Sequence, residues 1–239
     1  MEKLKEILAK LDKPRILDVG TGGGNFIKLL SSVYDNYESI VGIDQLEIAI
    51  SSSSKNFEDK RISFLQMDAF NMSFEDNEFD VVCLSNSLHH LRDVAGILKE
   101  MERVLKPGGT LLINEMMQDH LTTRQITHLK LHHFAAEIDR ERGQTHNETF
   151  KRTEIIEVLE ANSSLTVQEA WDMEFEREPE NSEEEIQWLL KTIDRLSDRV
   201  EDKERQKHFK EKGERIKEYV LKVGFDSATQ LLVILQWNY

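Results

Sequence analysis

Residues 16–26 read Ile16-Leu17-Asp18-Val19-Gly20-Thr21-Gly22-Gly23-Gly24-Asn25-Phe26. An apolar run, Arg15 to Val19, enters a glycine-rich turn, and Asn25 to Ser32 leaves it with helical periodicity. Strand, glycine turn and helix in that order are the context of a nucleotide-cofactor turn, with a tight strand-to-helix turn that binds nothing as the other reading. The glycines let a bound molecule approach the backbone, and the helix start presents free N–H groups.

The flanks repeat the alternation. Residues 2–11 read as a helix closed by Pro14. Ser39 to Asp44, Ile62 to Met67, Phe79 to Ser85 and Thr110 to Met116 read as strands. Helices are expected at Leu46 to about Ser54 and Val94 to Leu105, the latter stopped by Pro107-Gly108-Gly109. Apolar strands separated by helices predict an α/β fold: a mostly parallel, Rossmann-like sheet covered on both faces. Beyond it, helices are expected at 122–141, at 153–160 with Thr153 as cap, at 183–200 and at 202–222, where Gly213 would break the run. Ser164 to Phe175 and Thr229 to Trp237 read as strands.

The chain has 239 residues and a net charge of −14, from 31 basic and 45 acidic side chains. Such a surface repels a phosphate backbone, so general nucleic-acid binding is not expected. No apolar run reaches the roughly 18 to 20 residues of a membrane span. The N-terminus lacks a signal-peptide core. A lone cysteine, Cys83, excludes an internal disulfide framework. These features predict one cytoplasmic domain over 1–239.

Asp18 narrows the ligand. A dinucleotide would set its pyrophosphate over the turn, where a carboxylate repels it. S-adenosylmethionine has no phosphate there, and its ammonium and sulfonium attract one. A phosphate loop would need Gly-Lys-Ser/Thr, whereas Gly24 precedes Asn25. Asp44 closes the second strand and suits two ribose hydroxyls, with Gln45 beside it. Asp68 follows the third strand and suits an adenine amino group, with the Ala69 N–H for a ring nitrogen. Phe70 or Met67 would cover the base, although core packing is the simpler reading of Met67.

Asp18-x-Gly20-x-Gly22-x-Gly24, Asp44, Asp68-Ala69, Phe79-Asp80, Leu88-His89-His90-Leu91 and Arg103-Val104-Leu105-Lys106-Pro107-Gly108-Gly109 occur in that order. Together they resemble the class I S-adenosylmethionine-dependent methyltransferases, in particular the group similar to the quinone-biosynthesis methyltransferases. The resemblance covers about 14–117. It implies a seven-stranded sheet whose last strand runs antiparallel, here Thr229 to Trp237, and it turns Ser85 and Asn86 toward the methionine portion. The cofactor-binding set is then Asp18, Gly20, Thr21, Gly22, Asp44, Gln45, Asp68, Ala69, Ser85 and Asn86. S-adenosyl-L-methionine would leave as S-adenosyl-L-homocysteine after methyl transfer to a small-molecule acceptor. The alternatives are an S-adenosylmethionine-binding regulator or scaffold without transfer, and an NAD-dependent oxidoreductase, which Asp18 disfavours.

Two helical insertions, 118–149 and 178–222, are expected to form a substrate lid, with a homodimer surface as their other use. Five of the eight histidines, His120, His128, His132, His133 and His146, lie in the first. His128 and His132 share a helix face, as do His133 and Glu137, a spacing that can hold a metal. Surface histidines are commoner, and no metal site is assigned. The candidate bases are His89, His90, His133 and His146. Glu115 would orient substrate or be a solvated strand-end acid. Trp188 and Phe134 would line an apolar pocket or pack between helices. The acid-rich run Glu174 to Glu185 is expected to be solvated or to favour a cationic substrate, and Cys83 to be core.

Overall fold

The computed structural model describes residues 1–173 and 181–237. The acid-rich run therefore lies partly outside the described residues, as do 178–180 of the second insertion.

The short helix α1 (Glu2–Leu8) buries Leu4 and Leu8, and the chain enters β1 (Arg15–Val19) just past Pro14. The glycine turn leads into α2 (Asn25–Val33), whose Phe26, Ile27 and Leu30 share a buried face. Each contributes about 1.5–3 kcal/mol on leaving water. Then follow β2 (Ser39–Asp44), α3 (Glu47–Ser53), β3 (Ile62–Gln66) and β4 (Phe79–Ser85). A single 3₁₀ turn, Leu88–His90, precedes α4 (Val94–Val104), capped by the Asp93 carboxylate on the Gly96 N–H at 2.9 Å.

The chain passes directly from α4 into β5 (Leu105–Met116), earlier than the expected start at Thr110. Leu105 pairs with Phe79 and Thr110 with Val81, so Lys106 to Gly109 form a bulge opposite Asp80. Asp80 fixes that bulge, accepting from Lys106 Nζ at 2.8 and 2.9 Å and from the Arg15 N–H at 2.9 Å. Arg103 does similar work on α4, donating to Glu100, Asp76 and the carbonyls of Met72 and Phe74. These motif residues tie turns and a bulge to neighbouring strands and helices.

After β5 come α5 (Thr123–Glu141), α6 (Arg152–Asn162), β6 (Thr166–Met173), α7 (Glu183–Ser197), α8 (Lys203–Val223) and β7 (Gln230–Gln236). Two local expectations are corrected. Thr153 lies inside α6, which starts one residue earlier; the Glu154 carboxylate accepts from the Lys151 N–H at 2.8 Å and satisfies that end. Gly213 does not break α8. It faces Ile193 of α7, where a Cβ would meet Cγ2 at 2.9 Å, so the glycine permits close helix contact.

The strands form one seven-stranded sheet in the order β3-β2-β1-β4-β5-β7-β6. β1 to β5 pair in parallel, and β7 runs against both β5 and β6. The expected seven strands with an antiparallel last one are what the sheet shows. Two apolar layers cover it: one centred on α4 and α6, the other on α1 and α2. A third cluster lies between α5, α7 and α8, built on Phe134, Ile138, Leu189, Ile193, Phe209 and Val220. The strand order reverses between β1 and β4, which opens a crevice at their C-terminal ends.

Candidate active site

The glycine turn leaves β1 at that crevice. Gly20 has φ +67°, and a Cβ there would meet the Ser87 hydroxyl at 2.8 Å. Only glycine therefore suits both the backbone and the neighbour. The Ser87 hydroxyl in turn donates to a carbonyl, with the Ser85 oxygen at 3.0 Å and the Gly20 oxygen at 3.3 Å. Nothing lies within 4 Å of the Cβ positions of Gly22 and Gly23, so that side of the turn is open.

Asp18 is 1% exposed, and neither carboxylate oxygen has a hydrogen-bond partner. Burial raises its pKa to about 7; the nearby Thr21 hydroxyl lowers it, and the Asp44 charge adds to the rise. The Thr21 hydroxyl is also buried without a bond of its own. A buried, unpartnered carboxylate is costly to keep and calls for a cationic donor.

Asp44 sits at the end of β2. Its carboxylate accepts from the Gly22 N–H at 3.0 Å and the Leu46 N–H at 2.9 Å, which ties the turn to the strand end. A carboxylate has room for further donors. Gln45 is exposed, its carbonyl accepting from the Gln66 side chain at 3.0 Å. Asp68 is exposed and accepts from the Phe70 N–H at 3.0 Å; Ala69 is half-buried. Phe70 remains 49% exposed, whereas Met67 packs on the core. Leu46, Ile48 and Leu65 are also exposed, so apolar surface flanks these acids.

Ser85 and Asn86 line a cleft of about 360 Å³ with Asn25, Phe26, Asn114 and Gln230. The Asn114 amide donates to the Ser85 hydroxyl at 2.9 Å, and the Asn86 side chain accepts from the Met116 N–H at 3.0 Å. Asn86 takes φ +46° to make that reach. Asn114, Gln230 and Ser87 were not singled out in the sequence, since their neighbours come from distant strands.

The histidines converge past the end of β4, next to Glu115 of β5. His89, 1% exposed, turns Nδ1 to Glu115 Oε1 at 2.5 Å, and Glu115 Oε2 accepts from the Leu88 N–H at 3.0 Å. Glu115 is fully buried, which corrects its reading as a solvated acid. His146 places Nδ1 2.9 Å from Asp139 and Nε2 3.2 Å from His132 Nε2. The His90 ring packs at a tilt against two of these, with centroids 4.3 Å from His89 and 4.0 Å from His146. Desolvation against these rings, then their charges, bring its pKa down to about 4. Burial likewise lowers His132 to about 2. His133 stands apart, with Nε2 3.1 Å from the Thr149 hydroxyl. His128 also leaves the group, its Nδ1 accepting from the Ala228 N–H at 2.9 Å, so the expected His128–His132 pair does not share a site. Phe134 is helix-packing core, Trp188 is 59% exposed on α7, and Cys83 is buried in β4.

Residues 17–113 match the family described as a methyltransferase domain. That match covers less than half of the chain. A demethylmenaquinone methyltransferase of Staphylococcus saprophyticus is 34% identical over 105 residues, 44% of this chain and 45% of that protein. The chain thus spans about half the length of the curated relatives it matches. Two solved structures share the fold over nearly the whole chain. A Bacillus halodurans C-125 protein assigned to the methyltransferases has TM-score 0.61 and 20% identity, covering 99% of this chain and 98% of its own. An S-adenosylmethionine-dependent methyltransferase of Methanosarcina mazei has TM-score 0.57 and 20% identity, covering 97% and 96%. The matched segment contains the turn, Asp18, Asp44, Asp68 and Asn86. His132 and His146 lie outside it, in the insertion after β5.

Proposed function

We propose that the protein transfers a methyl group from S-adenosyl-L-methionine to a small-molecule acceptor and releases S-adenosyl-L-homocysteine. One observation carries the reading: the Asp18 carboxylate, buried and without a donor, at the foot of an open glycine turn. That group fits an ammonium and repels a pyrophosphate. The residues therefore suit this cofactor better than a dinucleotide. Asp18, Gly20, Thr21 and Gly22 hold its amino-acid end. Asp44 and Gln45 hold the ribose, Asp68 and Ala69 the adenine, and Ser85 and Asn86 the methionine chain.

When bound, the cofactor supplies an electrophilic methyl group on sulfur. The chain's own contribution is chiefly alignment of the acceptor and exclusion of water. The cleft lined by Ser85, Asn86, Asn114 and Gln230 is of a size for one small molecule. Where the acceptor carries a proton, His89, His90 and His146 are the imidazoles assembled to receive it, with His133 at their margin. Helices α5, α7 and α8 of the two insertions serve as a lid.

Calorimetry with S-adenosylhomocysteine and with NAD tests the cofactor. Binding of the first and not the second supports the proposal; the reverse overturns it. Formation of S-adenosylhomocysteine with a metabolite panel then separates an enzyme from a binding protein without transfer.

A further inference from the structure

The histidine group has more order than proton removal requires. His89 comes from the turn after β4, His132 from α5 and His146 from the loop that follows α5. Their converging ligand nitrogens all lie within 4.8 Å of one another. The Nε2 atoms of His132 and His146 are 3.2 Å apart. Two imidazoles on one tetrahedral zinc ion, each at about 2.0–2.1 Å, hold their nitrogens about 3.3 Å apart.

The outer contacts are those of a ligand set. His89 has its Nδ1 on Glu115, and His146 has its Nδ1 on Asp139. Both Nε2 atoms are thereby aimed inward, in the carboxylate–histidine arrangement that orients metal ligands. His89 Nε2 is buried and has no partner. The loop that carries His146 is pinned to the His89 backbone, with the Asn147 N–H donating to the His89 carbonyl at 2.9 Å. Arg199 pairs with Asp139 at 2.9 Å, whereas no lysine or arginine pairs with the fully buried Glu115 among the described contacts. A dication between the rings would offset that buried negative charge.

The geometry points to a divalent transition-metal site, suited to Zn²⁺, held by His89, His132 and His146 through Nε2, with Glu115 and Asp139 orienting two of the rings. Three protein ligands leave a position for water or an acceptor oxygen or sulfur. This departs from the expectation that no metal is bound. It also makes His89 and His146 ligands, leaving His90 as the group's free imidazole. Metal binding does not rest on the methyl-transfer reading and is measured without it.

The test titrates the chelator-treated full chain with Zn²⁺ alone, and separately with Co²⁺ followed by visible absorption. One ion per chain and the intense bands of four-coordinate Co²⁺ are expected. His132→Ala and His146→Ala should each lose at least tenfold in affinity. Glu115→Gln should lose 10- to 100-fold, as removal of an orienting partner does. His128→Ala, on the same helix but outside the group, should bind as the parent does. No binding by the parent chain overturns the site, as does binding undiminished in both His132→Ala and His146→Ala. The Co²⁺ spectrum of the parent decides the matter if those variants do not fold.

Discussion

The Gly22 N–H donates to the Asp44 carboxylate at 3.0 Å, so the tip of the glycine turn is held by the end of the neighbouring strand. A second bond, from the Leu46 N–H at 2.9 Å, fixes the same carboxylate from the other side. Asp44 thus shapes the turn besides facing the proposed ribose. Asp44→Ala should weaken S-adenosylhomocysteine binding by at least tenfold while the far-ultraviolet dichroism stays that of the parent. Asp44→Asn keeps an acceptor and should lose less. Undiminished affinity of the alanine variant in calorimetry would remove Asp44 from the site.

Asp18 gives a pH dependence with a definite sign. Its pKa is near 3.8 in the unfolded chain and about 7 in the folded one, so the folded state holds the proton more tightly. Stability is therefore full below pH 4 and is lost as pH rises through 7, by up to about 4 kcal/mol. Asp18→Asn should remove that loss and melt higher than the parent at pH 8. Thermal melts from pH 5 to 8 check this.

The same carboxylate must be ionised to hold an ammonium. Cofactor affinity should fall about tenfold for each pH unit below 7. Asp18→Asn should bind about 10- to 100-fold more weakly at pH 7.5, the worth of a hydrogen bond to a charged group. A flat affinity profile between pH 5 and 7 would contradict an ammonium on Asp18.

Gly20→Ala adds a Cβ 2.8 Å from the Ser87 hydroxyl at a φ of +67°. A cost of about 1–2 kcal/mol for the backbone alone is expected. Ser87→Ala in the same chain should relieve the contact and leave the backbone cost, so rescue would be partial. Denaturant melts of the single and double variants measure both parts.

Gly213 tests helix contact within the α5, α7 and α8 group. Alanine has the better helix propensity by about 1 kcal/mol, yet its Cβ would meet Ile193 at 2.9 Å. Gly213→Ala should destabilise the chain, and Ile193→Val should reduce that loss. A more stable Gly213→Ala would show that α7 yields freely.

The sheet was legible because its inner strands are covered on both faces. Val81 to Leu84 is a continuous apolar run and Ile16 to Val19 is one broken only by Asp18, and such runs need no partner to be recognised. The acids at the strand ends were legible for the complementary reason: Asp18, Asp44 and Asp68 interrupt or close apolar stretches. Two local signals misled. Gly213 reads as a helix breaker in isolation, and only the position of Ile193 explains it. Thr153 reads as a cap, but Glu154 accepts the bond one turn boundary earlier.

The histidine group was legible only in part. His89, His90 and His146 were recognisable as titratable residues near the expected crevice, but nothing local joins them. His132 belongs with His146, fourteen positions on, because the chain reverses after α5; its pairing with His128 was the wrong neighbour. Glu115 and Asp139 are spaced along other elements, so their bonds to His89 and His146 are purely tertiary.

The position of β7 bears on how a nascent chain acquires this architecture. β6 neighbours only β7, and β7 separates it from β5. Five parallel strands can associate once residue 116 has left the ribosome, but residues 166–173 have no ladder to join until 230–236 emerge. Ribosomes stalled within α8 should therefore display a protease-resistant amino-terminal half beside an unpaired, adhesive ribbon. That interval is when a chaperone would engage it.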